Sequence, residues 1–297
     1  MTGLSAARVL TKKGHDIIVL DKGRGIGGRM STRTLEQAKA DHGAQYFSAK
    51  SPEFKIFVKE LVSNNVAKEW HLAQRENIRY IGTKGMNSIP KKLAESLNVK
   101  VNEKVVTIIG NTVKTESGIT YYFDNLIITI PVPQVIELFA NSRIAPTQND
   151  QVVLSSIKYE PCIAVMAVLK QPTTIPNGGI ILENQPVAWI ADNFQKGISP
   201  LPSVTLHTSA DYSQNRLEND LQLVSKEMLA SVSQYIPNET IISSQVHRWR
   251  YSLASKRYVA PFYRLENHPI YLAGDGFGLG NVEGAFLSGY KVGTIIS

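Results

Sequence analysis

Apolar and polar positions follow three different periods along this chain. At the start, Leu4, Ala7, Val9 and Leu10 form an apolar side at helical spacing, which predicts a helix over residues 1–13 ended by Gly14. Ile17-Ile18-Val19-Leu20 is an unbroken apolar run closed by Asp21, the pattern of a strand buried on both faces of a parallel sheet. Helical spacing returns over residues 51–65, where Phe54, Phe57, Val58, Leu61 and Val62 share a side and Pro52 suits the first turn. Residues 79–82 read as a strand leading to a Gly85-Met86 turn and a helix over 89–97. Period two then takes over: Val105, Thr107 and Ile109 alternate, Gly110-Asn111 supplies a hairpin turn, and further strands follow at 119–123 and 126–130. Runs at 157–170, 179–182, 187–191 and 204–208 predict one antiparallel sheet, with a helix over 215–234 and a strand over 241–250 behind them. The last pattern is a short buried strand at Ile270-Tyr271-Leu272-Ala273, then a glycine-rich turn and a helix. The expected fold class is α/β (α+β): a Rossmann-like domain interleaved with an antiparallel-sheet domain.

Composition narrows this picture. The 297 residues are 43% apolar and 19% charged, a globular balance that argues against disorder. No apolar run approaches the roughly 18 residues of a membrane span, and no secretory leader pattern opens the chain. The single cysteine, Cys162, lies in an apolar run and reads as an inert buried thiol; together these favour a cytoplasmic location. The formal charge of +7 comes from dispersed Lys and Arg, so a nucleic-acid patch is not expected, although a positive surface attracts phosphate-bearing molecules.

The candidate chemistry sits in two glycine-rich turns. Helix, buried strand and the acidic Asp21 at the strand tip form the second half of a dinucleotide-binding unit, in which the acid binds a ribose hydroxyl. Met1-Thr2-Gly3 fit the last three positions of its G-x-G-x-x-G turn, so the expectation is a truncated chain whose preceding strand and first two glycines lie upstream. Lys22-Gly23-Arg24-Gly25-Ile26-Gly27-Gly28-Arg29 combines bare backbone with cations and suits a diphosphate. Near the end, Gly274-Asp275-Gly276-Phe277-Gly278 leads to a helix starting near Asn281, whose N–H groups and dipole favour an anion or an electron-rich ring. No His-x-x-x-His, G-x-S-x-G or Walker pattern is present, which leaves a bound cofactor to carry the chemistry. His42 reads as a base or, more commonly for a lone histidine, as a structural residue.

The Gly3 helix, Asp21-Lys22, Gly27-Gly28-Arg29-Met30, Gly43-Ala44-Gln45-Tyr46, Ile130-Pro131-Val132-Pro133, Arg248-Trp249-Arg250, Gly274-Asp275 and Asn281-Val282-Glu283-Gly284 occur in an order that resembles the flavin amine-oxidase superfamily, and within it the renalase-like branch. The resemblance spans nearly the whole chain. It implies a non-covalent FAD held by Thr2, Gly3, Asp21, Lys22, Gly28, Arg29, Gln45, Tyr46, Val105, Gly274, Asp275, Asn281 and Val282. It implies an FAD-binding domain of residues 1–50, 85–135 and 243–297, and a substrate domain of 51–84 and 136–242. It further implies an oxidase for a small molecule, an isomeric form of reduced NAD(P), with oxygen as electron acceptor and hydrogen peroxide as product. Trp249, Tyr251 and His247 are the candidates for the substrate cavity. The competing expectations are a flavin amine oxidase or desaturase with another small substrate, and a truncated non-catalytic protein or basic binding module.

Overall fold

A computed structural model describes residues 1–74 and 76–297. The chain packs as two compact units: Met1–Gly28, Pro90–Tyr159 and Leu253–Ser297 form the first, and Arg29–Ile89 with Glu160–Ser252 the second.

The first unit is built on parallel pairing. Strand Ile18–Asp21 runs parallel to Asn98–Val101, and Leu126–Ile128 runs parallel to Ile270–Ala273, which also takes Phe262–Arg264 as an antiparallel edge. Strand Ile18–Asp21 is only partly covered, with Ile18 43% exposed. The two-sided burial expected of its apolar run is therefore not met, because among the described strands it pairs only with Asn98–Val101. Helix Thr2–Lys12 and helix Asn281–Ile295 pack side by side through small residues. A Cβ at Gly289 would fall on the Thr2 carbonyl, and one at Gly293 would press on Ala6. These paired contacts advance together along both helices, so the two run parallel and their N-terminal, positive ends point the same way. Residues 105–122 form the expected meander, with Gly110 in the left-handed conformation at its first turn. Helices Val132–Ala140 and Gln148–Ser156, not among the elements expected from the sequence pattern, close the core over Ile108, Leu265 and Phe277.

The second unit is built on the expected antiparallel sheet, ordered Gly179–Ile181, Val187–Asp192, Ser203–Thr208, Lys158–Leu169, Ile241–Lys256. Its core holds Ile163, Val165, Ile190, Leu206 and Met228. Helix Pro52–Ser63 forms as predicted, with Ser51 Oγ accepting the Phe54 N–H. The single helix expected over 215–234 is instead two, Ala210–Arg216 and Leu221–Ser231. Asp220 caps the second by accepting the Gln222 N–H at 2.8 Å, while Glu218, between the two, pairs with Arg250.

Four segments, residues 29–50, 85–89, 136–159 and 243–252, pack away from the domain expected for them in sequence. Residues 29–50 join the second unit because hairpin Thr32–Leu35/Ala38–Asp41 hydrogen-bonds to strand Ser203–Thr208 and its flank: Ser203 Oγ to the Lys39 carbonyl and Thr205 Oγ1 to the Asp41 carbonyl, at 2.7 and 2.8 Å. Residues 243–252 join it as part of strand Ile241–Lys256, beside Lys158–Leu169. Residues 136–159 join the first unit through their apolar helix faces.

Candidate active site

In the first unit the C-terminal ends of the parallel strands carry the predicted nucleotide residues. Asp21 closes its strand and turns the chain, its Oδ1 accepting the Gly23 N–H at 2.7 Å. Lys22 is exposed and donates to Gln134 Oε1 at 3.2 Å. Gly25 and Gly28 have open space where a Cβ would stand, and Gly28 has φ +54°. Buried Thr2 and half-buried Gly3 open the first helix, which has no side-chain cap. Val105 begins the meander, paired with Thr115. At the other turn, Gly274 has φ +148°, its N–H bonds to Ser288 Oγ at 2.8 Å, and Asp275 is buried. Asn281 has φ +54° and accepts the Gly284 N–H at 3.1 Å through Oδ1; beside it, Val282 is half-buried. The result is an exposed bare-backbone loop, two carboxylates and two helix N-termini aligned in one direction. That donor set fits the diphosphate, ribose and ribityl hydroxyls of FAD.

The second unit holds the rest. Strand Ile241–Lys256 puts His247, Trp249 and Tyr251 on one face by its two-residue period. Trp249 Nε1 donates to the His42 carbonyl at 2.7 Å, and its ring stacks on the His42 imidazole at 5.2 Å. His247 stands edge-on to both, 4.3 Å from Trp249 and 5.1 Å from His42 between centroids. Burial, with His247 and the Arg33 cation beside it, pushes His42 down to about 3, and burial also takes nearby His207 down to about 4. The wall is thus neutral and aromatic. Arg29 donates to the carbonyls of Tyr251 and Ser252 at 3.2 and 3.3 Å.

The Gly43-Ala44-Gln45-Tyr46 loop is held from below by a buried ion pair. Lys196 Nζ and Asp41 Oδ2 are 3.1 Å apart, with both side chains wholly buried. Asp41 Oδ1 accepts from Thr32 Oγ1 at 2.6 Å and the Met86 N–H at 2.8 Å, and Lys196 also donates to the Gln45 carbonyl at 3.2 Å. Gln45 spends its amide on the Asp41 and Gly43 carbonyls at 2.6 and 3.0 Å. Tyr46 stands in a cluster with Trp70 and Trp189, at 6.1 and 5.5 Å. His42 and Asp41 were adjacent to a motif in sequence; Lys196, Trp70 and Trp189 carried no signal there.

Fold and site together define a flavoprotein of the Rossmann-like oxidoreductase class. A NAD(P)-binding Rossmann-like domain family matches residues 1–61, and the flavin containing amine oxidoreductase family matches residues 65–296. The chain belongs to the flavin containing amine oxidoreductases. Renalase from Mus musculus is 25% identical over 336 aligned positions that cover 100% of this chain and 96% of that protein. Wild-type putrescine oxidase bound to putrescine has a TM-score of 0.75 at 14% identity, covering 99% of this chain and 96% of that one. A putative protoporphyrinogen oxidase from Exiguobacterium sp. 255-15 has a TM-score of 0.69 at 12% identity, with the same coverage. The protein is a renalase-like, FAD-dependent oxidase that binds its flavin non-covalently. Its cysteine, Cys162, is buried, and desolvation pushes the thiol up to about 12. Among the described residues no helix is long and apolar enough to cross a membrane, and no cluster of His, Cys, Asp and Glu could hold a metal ion.

Proposed function

We propose that the enzyme oxidises isomeric forms of reduced NAD(P), with oxygen as electron acceptor and NAD(P) and hydrogen peroxide as products. The observation that most supports this reading is the chemistry of the His42–His247–Trp249 wall. It is aromatic and apolar enough to pack against a nicotinamide ring, and the Arg33 cation acts on its imidazoles. An ammonium substrate would be repelled there, whereas the phosphates of a dinucleotide would be attracted. Asp41, the buried carboxylate adjoining this wall in sequence, is already neutralised by Lys196.

Bound FAD supplies hydride acceptance and the onward passage of electrons to oxygen. In our assignment the first unit carries most of the FAD contacts and the second the substrate wall. Asp21 holds a ribose hydroxyl, and Thr2, Gly3, Lys22, Gly28 and Arg29 serve the diphosphate. Val105 meets the adenine end, Gly274 and Asp275 the ribityl chain, and Asn281 and Val282 present helix N–H groups to the pyrimidine edge. Gln45 and Tyr46 shape the cofactor contact. Trp249, Tyr251 and His247 orient the substrate ring, since hydride transfer needs orientation more than a side-chain base.

The test is peroxide release from the FAD-loaded enzyme. Reduced NAD(P) isomers should give peroxide and NAD(P), and putrescine and other amines none. Turnover of amines alone would replace this reading with the amine-oxidase one.

A further inference from the structure

The second unit contains an arginine that has no hydrogen-bond or ion-pair partner among the described residues. Arg79 sits on strand Arg79–Gly82, directly across from Trp70 on the antiparallel strand Ala67–Trp70. Its guanidinium carbon lies 5.6 Å from the centre of the Tyr46 ring. Among the described residues it makes no ion pair and no hydrogen bond, and its Nε is buried without a partner. Several other arginines have acceptors: Arg216 pairs with Glu227, Arg248 and Arg250 with Glu218, and Arg29 and Arg257 with backbone carbonyls. A half-buried guanidinium left without an acceptor loses its hydration for nothing in return unless a ligand supplies one.

The neighbours point the same way. Trp189, 5.5 Å from Tyr46, has a buried indole N–H that also lacks an acceptor. Trp70 completes the cluster at 6.0 Å from Trp189, and a second cation, Lys196 Nζ, stands 5.1 Å from its ring. Lys196 is spent on Asp41 and Gln45; among the described residues Arg79 has no such acceptor. Lys68 lies on the same face of the ribbon as Trp70 and Arg79. The cluster therefore offers donors and positive charge, with its one buried carboxylate already paired.

We propose that Arg79, stacked on Tyr46, is a specificity-determining residue that receives the pyrophosphate of the dinucleotide substrate through its two-pronged fork. The ring backs the guanidinium, and the fork matches two phosphate oxygens, which a lysine cannot do. The identity of the anion rests on the dinucleotide reading above; the anion site does not.

The experiment is calorimetric titration of the FAD-loaded enzyme with inorganic pyrophosphate, for wild type, Arg79→Met and Arg79→Lys. Arg79→Met should weaken pyrophosphate binding at least about tenfold, and Arg79→Lys should fall between, because it keeps the charge and loses the fork. Wild-type affinity should drop with added salt. In turnover, Arg79→Met should raise the KM of reduced dinucleotide isomers about tenfold more than that of the phosphate-free reduced nicotinamide ribosides. Pyrophosphate bound equally by wild type and Arg79→Met, or not bound by wild type, would overturn the proposal. So would an equal rise in KM for both substrates. Binding through Arg79 in an enzyme that turns over no dinucleotide would uphold the anion site and sink the substrate reading.

Discussion

The indole N–H of Trp249 donates to the carbonyl oxygen of His42 at 2.7 Å while the two rings stack, so one residue is both a wall and a strut. Trp249→Phe keeps an aromatic ring and removes the strut. The His42 carbonyl retains His207 Nε2 at 3.2 Å, so the loss should be about 1 kcal/mol of unfolding free energy in urea titration. The KM for the dinucleotide isomer should rise severalfold because the ring face is no longer fixed. A variant with wild-type KM would remove Trp249 from the substrate wall.

Acid should unfold this protein partly through its imidazoles. His42 and His207 are held at about 3 and about 4, against 6.5 in an unfolded chain. Between those limits the unfolded chain binds protons that the folded one refuses. Stability therefore falls as pH drops from about 6.5 toward 4, by roughly 1.4 kcal/mol per pH unit for each group. In His42→Leu, denaturant midpoints at pH 7.5 and 5.0 should lie closer together than in wild type. An unchanged gap would show that His42 titrates normally.

The Asp41–Lys196 pair is structural in energy and local in reach. Lys196→Met leaves a buried carboxylate without its cation and should cost about 3–5 kcal/mol. Adding Asp41→Asn should recover a large part of that loss, because the stranded charge is gone. Denaturant unfolding of both variants decides this; a double variant no more stable than Lys196→Met would mean that packing, not charge, sets the cost.

Gly289 is where the two parallel helices touch. Gly289→Ala puts a methyl on the Thr2 carbonyl and should cost about 3 kcal/mol, shifting both helix N-termini. Flavin absorbance retained after desalting should fall. Full retention would mean that the aligned termini are not needed to hold FAD.

Gly25 gives the complementary test. A Cβ there meets nothing in the protein, so Gly25→Ala should change unfolding free energy by less than about 0.5 kcal/mol. If the diphosphate lies against this loop, FAD affinity should nevertheless drop about tenfold, read by fluorescence titration of the apoprotein. Unchanged affinity would place the diphosphate elsewhere.

Local sequence determined much of the frame. Helix Pro52–Ser63, the Gly110 hairpin, the antiparallel sheet and the turns at residues 22–29 and 274–281 follow from periods and glycines that act over a few residues. Those glycine turns and their flanking acids also carried the flavoprotein class. Where long-range packing competed, local pattern gave way. The apolar run ending at Asp21 is half-covered because burial depends on how many strands flank it. The helical stretch around residue 218 breaks where Glu218 meets Arg250, 32 positions away. The substrate wall needed tertiary structure altogether. Period two puts His247, Trp249 and Tyr251 on one face, but His42 joins them from a loop with no period, 207 positions before Trp249. Lys196 reaches Asp41 across 155 positions, and Arg79 is conspicuous only because folding brings it no acid among the described residues. Such pairings depend on which charges and rings the whole chain brings within a few ångströms, and neighbours in sequence carry no record of that.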